Sequence, residues 1–241
     1  MPKFLFHKFL AFTIAAGIFG MLTTLMLAFN PPAYNYDFAW RRPLVGLMFA
    51  IVCTAGMFAA VVPGTCLSAL GHDKANIKVA SGESKAEKKV FLKGHHFDCG
   101  RFSNHTVVVR NNVLCAACFG LALGAFIALL GTIVYFFLGM NLFETSLETV
   151  LFGEVAVALG LVEFKLKGYL RLLLNSVFVL GGFLTLVGVD SLTENLLVDF
   201  YLIGLIILWI LTRILLSQWD HWRTCHVCME PCTIVEKEKE F

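Results

Sequence analysis

Long apolar runs alternate along the chain with short polar interruptions, and the runs lack the polar stripe of a soluble core helix. The stretch GMLTTLMLA, residues 20–28, is apolar all round except for two threonines, where an amphipathic helix would place charged residues on one face. A hydrocarbon core about 30 Å thick takes about 20 helical residues to cross. Six segments reach or approach that length: Phe9–Phe29, Leu44–Leu70, Val113–Leu138, Leu147–Phe164, Tyr169–Val189 and Leu196–Ser217. The pattern therefore predicts an all-α, polytopic helical membrane protein, a single integral membrane domain over 1–241 with six transmembrane helices. Lys3 and Lys8 precede the first run as they would in a secretory signal, but its apolar core is longer than such a signal needs, so it reads as a retained anchor.

Composition supports the pattern. Of 241 residues, 58% are hydrophobic and 15% charged, against about 25% charged in an average soluble domain. The placement of charge gives an orientation. Six spans put both termini and the residue 72–112 loop on one side, and that side collects every lysine and arginine except Arg41 and Arg42. Loops rich in Lys and Arg stay cytoplasmic, which predicts a plasma-membrane protein with both termini in the cytoplasm. Asp190, Glu194 and Asp199 then read as residues of the opposite interface.

The loop has two textures. Residues 72–93 are polar and lysine-rich, as in a mobile surface loop, whereas 94–118 carry a Cys/His motif. Within the second part, Thr106–Arg110 has the β-branched texture of a short strand, and Arg110-Asn111-Asn112 is placed to turn it toward Cys115. A cysteine-rich cytoplasmic tail is expected over 218–241.

Eight cysteines are present. Cys53 and Cys66 fall in the second span, and the other six lie at the predicted cytoplasmic face. A reducing compartment favours metal ligation or thiol chemistry over structural disulfides. Cys115-x-x-Cys118 has the spacing that lets two thiolates reach one tetrahedral ion. Cys99 with His95 or His96 completes a three-sulfur, one-nitrogen set, and His105 is a spare donor. The tail repeats the theme with Cys225, Cys228 and Cys232 beside His221 and His226. It can form a second site, or Cys225 and Cys228 can join Cys115 and Cys118 in one. Zinc is the first cofactor expected, since tetrahedral sulfur/nitrogen sets suit it. An iron–sulfur cluster is the second, set back by the absence of a full ferredoxin run. A thiol redox pair at a helix N-terminus is a third reading, though neither pair sits in a thioredoxin-like context.

The string DCGRFSNHT…LCAACFGLALG resembles the signature of a domain-of-unknown-function family of small multi-pass membrane proteins, numbered 2085 in that series. Its pattern is Cys-His-x-x-x-x-Arg-Ser-Phe, a short spacer, then Leu-Cys-Ala-Arg-Cys-Thr-Gly-x-x-x-Gly entering a membrane helix. Cys99, Cys115, Cys118, Gly120 and Gly124 match, and Arg101 and Phe102 sit near the Arg-Ser-Phe. The histidines precede Cys99 instead of following it, and Ala117 and Phe119 replace Arg and Thr. These departures resemble an archaeal branch more than the bacterial core. The resemblance spans roughly Gly94–Ala128 and implies a membrane protein with a cysteine motif and no established activity.

Polar groups at membrane depth are functional candidates, because burying them is costly. Glu154 lies within the fourth span and is the candidate for an intramembrane ion path. Glu163, Asn175 and Asp199 are the others. Gly120 and Gly124, a small-xxx-small pair, predict close helix packing, within the monomer first and in a homo-oligomer second. Trp219 and Trp222 suit an interfacial belt. No P-loop, dinucleotide fingerprint, zinc-protease or nucleophile-elbow motif is present, and too little chain lies outside the spans for a separate catalytic domain. The expected partners are the lipid bilayer and a protein docked at the cytoplasmic face. Nucleic acid is not expected, since orientation and anionic lipid account for the basic loop.

Overall fold

The computed structural model describes residues 3–32, 39–61, 106–109, 112–140, 146–162, 166 and 168–226. Six α-helices are described, α1 (Lys3–Phe29), α2 (Arg41–Val61), α3 (Ala116–Thr132), α4 (Ser146–Leu161), α5 (Gly168–Thr193) and α6 (Leu196–His226). A two-stranded antiparallel hairpin, β1 (Thr106–Val109) and β2 (Asn112–Cys115), leads directly into α3.

Five helices are long and apolar enough to cross a membrane: Leu5–Phe29, Arg41–Ala60, Ala116–Phe137, Gly168–Thr193 and Leu196–Asp220. The fourth predicted span falls short of this. Its helix, α4, has 16 residues and rises about 24 Å at 1.5 Å per residue, less than a full hydrocarbon core. Large apolar side chains such as Phe12, Phe19, Phe58 and Phe152 point away from the bundle, and these exposed faces fit contact with lipid.

Small residues set the helix spacing. Gly120 and Gly124 on α3 bring that helix onto the backbone of α5 at Leu172 and Ser176, and the Ser176 hydroxyl donates to the Gly120 carbonyl at 2.8 Å. Gly153 on α4 and Gly181 on α5 face each other in the same way. The close packing expected of Gly120 and Gly124 is thus made within the chain. Across the bundle, the Trp209 indole of α6 is buried and donates to the Gly17 carbonyl of α1 at 3.3 Å.

Two irregularities position side chains. The end of α3 widens into a π-helical turn, Ile133–Phe137, in which the Leu138 N–H bonds the Ile133 carbonyl. Such turns reorient neighbouring side chains, and here adjacent Tyr135 and Phe136 are both buried. Between α5 and α6 the chain reverses at Glu194, with φ 46°, while the Asn195 side chain accepts the Leu197 N–H at 3.0 Å. That short reversal sets Asp190 beside Asp199.

Candidate functional site

The β1–β2 register pairs Thr106 with Cys115 and Val109 with Asn112. Thr106–Val109 is the strand that the β-branched texture predicts. Cys115 ends β2 and caps α3 in an extended conformation, φ −68° and ψ 117°. Cys118 follows in the first helical turn. Neither is in a disulfide, and both are half-buried.

Charge gathers beneath the pair. Arg171 on α5 and Arg213 on α6 are 1% and 4% exposed, and both guanidiniums lie within electrostatic range of the two thiols. Arg213 Nη2 donates to Asn175 Oδ1 at 3.0 Å, and Asn175 Nδ2 donates to the Arg171 carbonyl at 2.7 Å. Arg171 Nη2 stands 3.8 Å from Asp220 Oδ2. Sequence counts both arginines on the cytoplasmic side; the structure buries them between helices, beside the polar partners Asn175 and Asp220. The Cys115 thiol, just outside the span, is pushed down to about 6. Its hydrogen bond with Cys118 is the chief cause, opposed by burial and aided by the Cys118 and Ala117 backbone N–H groups and by Arg171. A thiolate at a helix N-terminus beside cations is the form that ligates metal or reacts.

Among the described residues no group of three or more His, Cys, Asp or Glu is assembled for a metal. Of the sequence-predicted ligands, the structure brings Cys115 and Cys118 together. His95, His96, Cys99, His105, Cys228 and Cys232 lie outside the described residues, as do Cys66 and Glu163. Cys225 and His221 belong to α6, which runs on to His226 through the first part of the expected tail; their side chains are not among those described. In this arrangement a maleimide is expected to modify Cys115 and Cys118 well before Cys53, which is buried in the bundle. Equal rates, read by mass spectrometry, would contradict it.

The far end of the bundle holds a site that the sequence pattern assigns differently. Asp190 and Asp199, read from the sequence as interface residues, are fully buried between helices. Arg41 Nη1 bonds Asp199 Oδ2 at 2.6 Å and also bonds Asp190 Oδ1. The Tyr135 hydroxyl donates to Asp190 Oδ2 at 2.8 Å, and Arg42 Nε stands 3.7 Å from the same oxygen. Four helices, α2, α3, α5 and α6, meet in this network. One signal was available: Arg41 and Arg42 are the two basic residues left on the acidic side, and stranded charges of opposite sign pair when buried. Glu154 lies between the two ends and is also buried.

No family model, no curated protein and no solved structure matches this chain.

Proposed function

We propose that the chain is a plasma-membrane protein with six membrane-inserted segments, termini in the cytoplasm, and a Cys/His zinc site ordering a cytoplasmic cap. The carrying observation is the hairpin register. Because Thr106 pairs with Cys115, the chain that leads out of His95, His96, Cys99 and His105 enters β1 beside the Cys-x-x-Cys. Cys115 and Cys118 supply two thiolates from the cap and the first turn of α3, and Cys99 with one histidine supplies the rest of a tetrahedral set. Bound there, zinc would supply a fixed cross-link between the loop and α3. Arg171 and Arg213 offset the negative charge of a thiolate-rich centre and tie it to α5 and α6.

The role of such a cap is structural: it presents a surface to a protein partner or to lipid headgroups. The likeness to the domain-of-unknown-function family belongs to the same reading, since the shared residues are Cys99, Cys115, Cys118, Gly120 and Gly124. The cysteines are the proposed ligands, and the glycines seat the helix that carries them.

Metal analysis of the purified protein tests this. Stoichiometric zinc is expected, lost in Cys115→Ser and Cys118→Ser with the helices intact. Retention of zinc in Cys225→Ser and Cys228→Ser would place the tail outside this site. Iron with a visible charge-transfer band would replace zinc by a cluster. A metal-free protein with a reversible Cys115–Cys118 disulfide would overturn the zinc reading in favour of thiol redox chemistry.

A further inference from the structure

One carboxyl lies in the middle of the bundle. Glu154 on α4 is 6% exposed, and its Oε1 has no hydrogen-bond partner among the described residues. Its depth follows from how α4 lies on α5. Ser146 bonds Ser191 at 2.9 Å, Gly153 sits against Thr185 and Gly181, and Gly160 sits against Phe178. Glu154 is therefore level with the stretch between Gly181 and Thr185. At 1.5 Å per residue along α5 this is about 10 Å from Asp190 on one side and about 10 Å from Asn175 on the other.

The helices packed against α4 are α5, α1 and α6. At this level they offer no charge to offset an ionised Glu154. Between Asn175 and Asp190, α5 has no titratable residue; after Lys8, α1 has none; between Asp199 and Arg213, α6 has only Tyr201. An isolated carboxylate in such surroundings is far costlier than the neutral acid. Of the other buried residues of α4, Thr149, Val150, Gly153, Val157 and Gly160, only Thr149 carries a side-chain oxygen. A hard metal ion takes about six oxygen ligands; a proton needs one.

We propose that Glu154 is a proton-carrying station between the two charged ends, passing protons between the Asp190–Asp199 network and the Asp220 carboxylate that stands 3.8 Å from Arg171 at the other end. A proton leaves the Glu154 acid toward one end, and another, arriving from the opposite end, binds the carboxylate. Only O–H bonds break and form, and no electrons are transferred. Such a path requires a chain of waters across each gap, each one bonded to the next. Asp199 Oδ1 also has no hydrogen-bond partner among the described residues, which gives the far network an open acceptor.

The test uses the full chain in lipid vesicles loaded with a pH-sensitive dye, driven by a potassium gradient and valinomycin. Wild-type protein is expected to acidify the lumen faster than protein-free vesicles do. Glu154→Gln is expected to fall to the protein-free rate, while Glu154→Asp keeps part of the flux. A wild-type rate equal to that of empty vesicles overturns the proposal, as does a Gln variant as fast as wild type or a current carried by sodium. A second measurement needs no substitution. Dicyclohexylcarbodiimide adds whole to a protonated carboxyl in apolar surroundings, the acid proton ending on a reagent nitrogen. Peptide mapping is expected to find the adduct on Glu154 and the flux blocked; an unlabelled Glu154 overturns the proposal.

Discussion

Replacing Arg41 with methionine is expected to destabilise the protein by about 3–5 kcal/mol, the cost of removing one side of a buried ion pair. The loss is large because one guanidinium nitrogen serves two carboxylates. Asp190 and Asp199 are both fully buried, and without Arg41 they face each other with only the partly exposed Arg42 beside Asp190. Arg42 is a poor replacement, since its Nε is 3.7 Å from Asp190 and its side chain is 33% exposed. Arg42→Met is accordingly expected to cost under about 1 kcal/mol. The triple change Arg41→Met, Asp190→Asn and Asp199→Asn is expected to recover much of the loss, because a network neutralised as a whole leaves no uncompensated charge. Unfolding in mixed detergent micelles measures all three. An Arg41→Met protein within 1 kcal/mol of wild type, on the scale of an exposed pair, would show that the network does not hold the bundle.

This network also marks the limit of what the pattern of the chain conveys. The apolar runs of α1, α2, α3, α5 and α6 are legible because lipid-facing helices need no polar stripe, and five of them have the length to cross a membrane. The first strand of the hairpin is legible too, from three consecutive valines, whereas Val113–Cys115, read as the start of the third span, belongs to the second strand. Asp190 reads as interfacial because it ends an apolar run, which is where exposed charges belong. Its burial depends on Arg41, 149 residues away in sequence, and on the short reversal at Glu194. The burial of Arg171 and Arg213 is illegible for the same reason. Charge counting assigns them a side of the membrane but says nothing about the Asn175 and Asp220 side chains that draw them inward. The Cys-x-x-Cys is legible as a pair at the start of a helix. That the helix seats it above two buried guanidiniums is a property of tertiary packing, and the glycines that permit that packing lie only a few residues beyond the thiols.

Gly120→Val is the substitution expected to show this dependence. A β-carbon at Gly120 would lie 2.3 Å from the Leu172 carbonyl oxygen and 2.9 Å from the Asn175 β-carbon. The first of these is backbone and has no rotamer to yield, so α3 and α5 must separate. Overpacking of this kind costs about 1–3 kcal/mol, and the branched side chain places Gly120→Val at or above the upper end. Separation also lengthens the Ser176–Gly120 bond and lifts Cys115 and Cys118 away from Arg171. Zinc retention, if the pair holds zinc, is therefore expected to fall along with stability. Gly204→Ala and Gly56→Ala are the matched controls, since a β-carbon there meets nothing within 4 Å. Each is expected to be neutral or to add up to about 1 kcal/mol through helix propensity. Equal effects at Gly120 and Gly204, in unfolding and in metal content, would mean that the α3–α5 contact is looser than its geometry and plays no part in seating the cysteines.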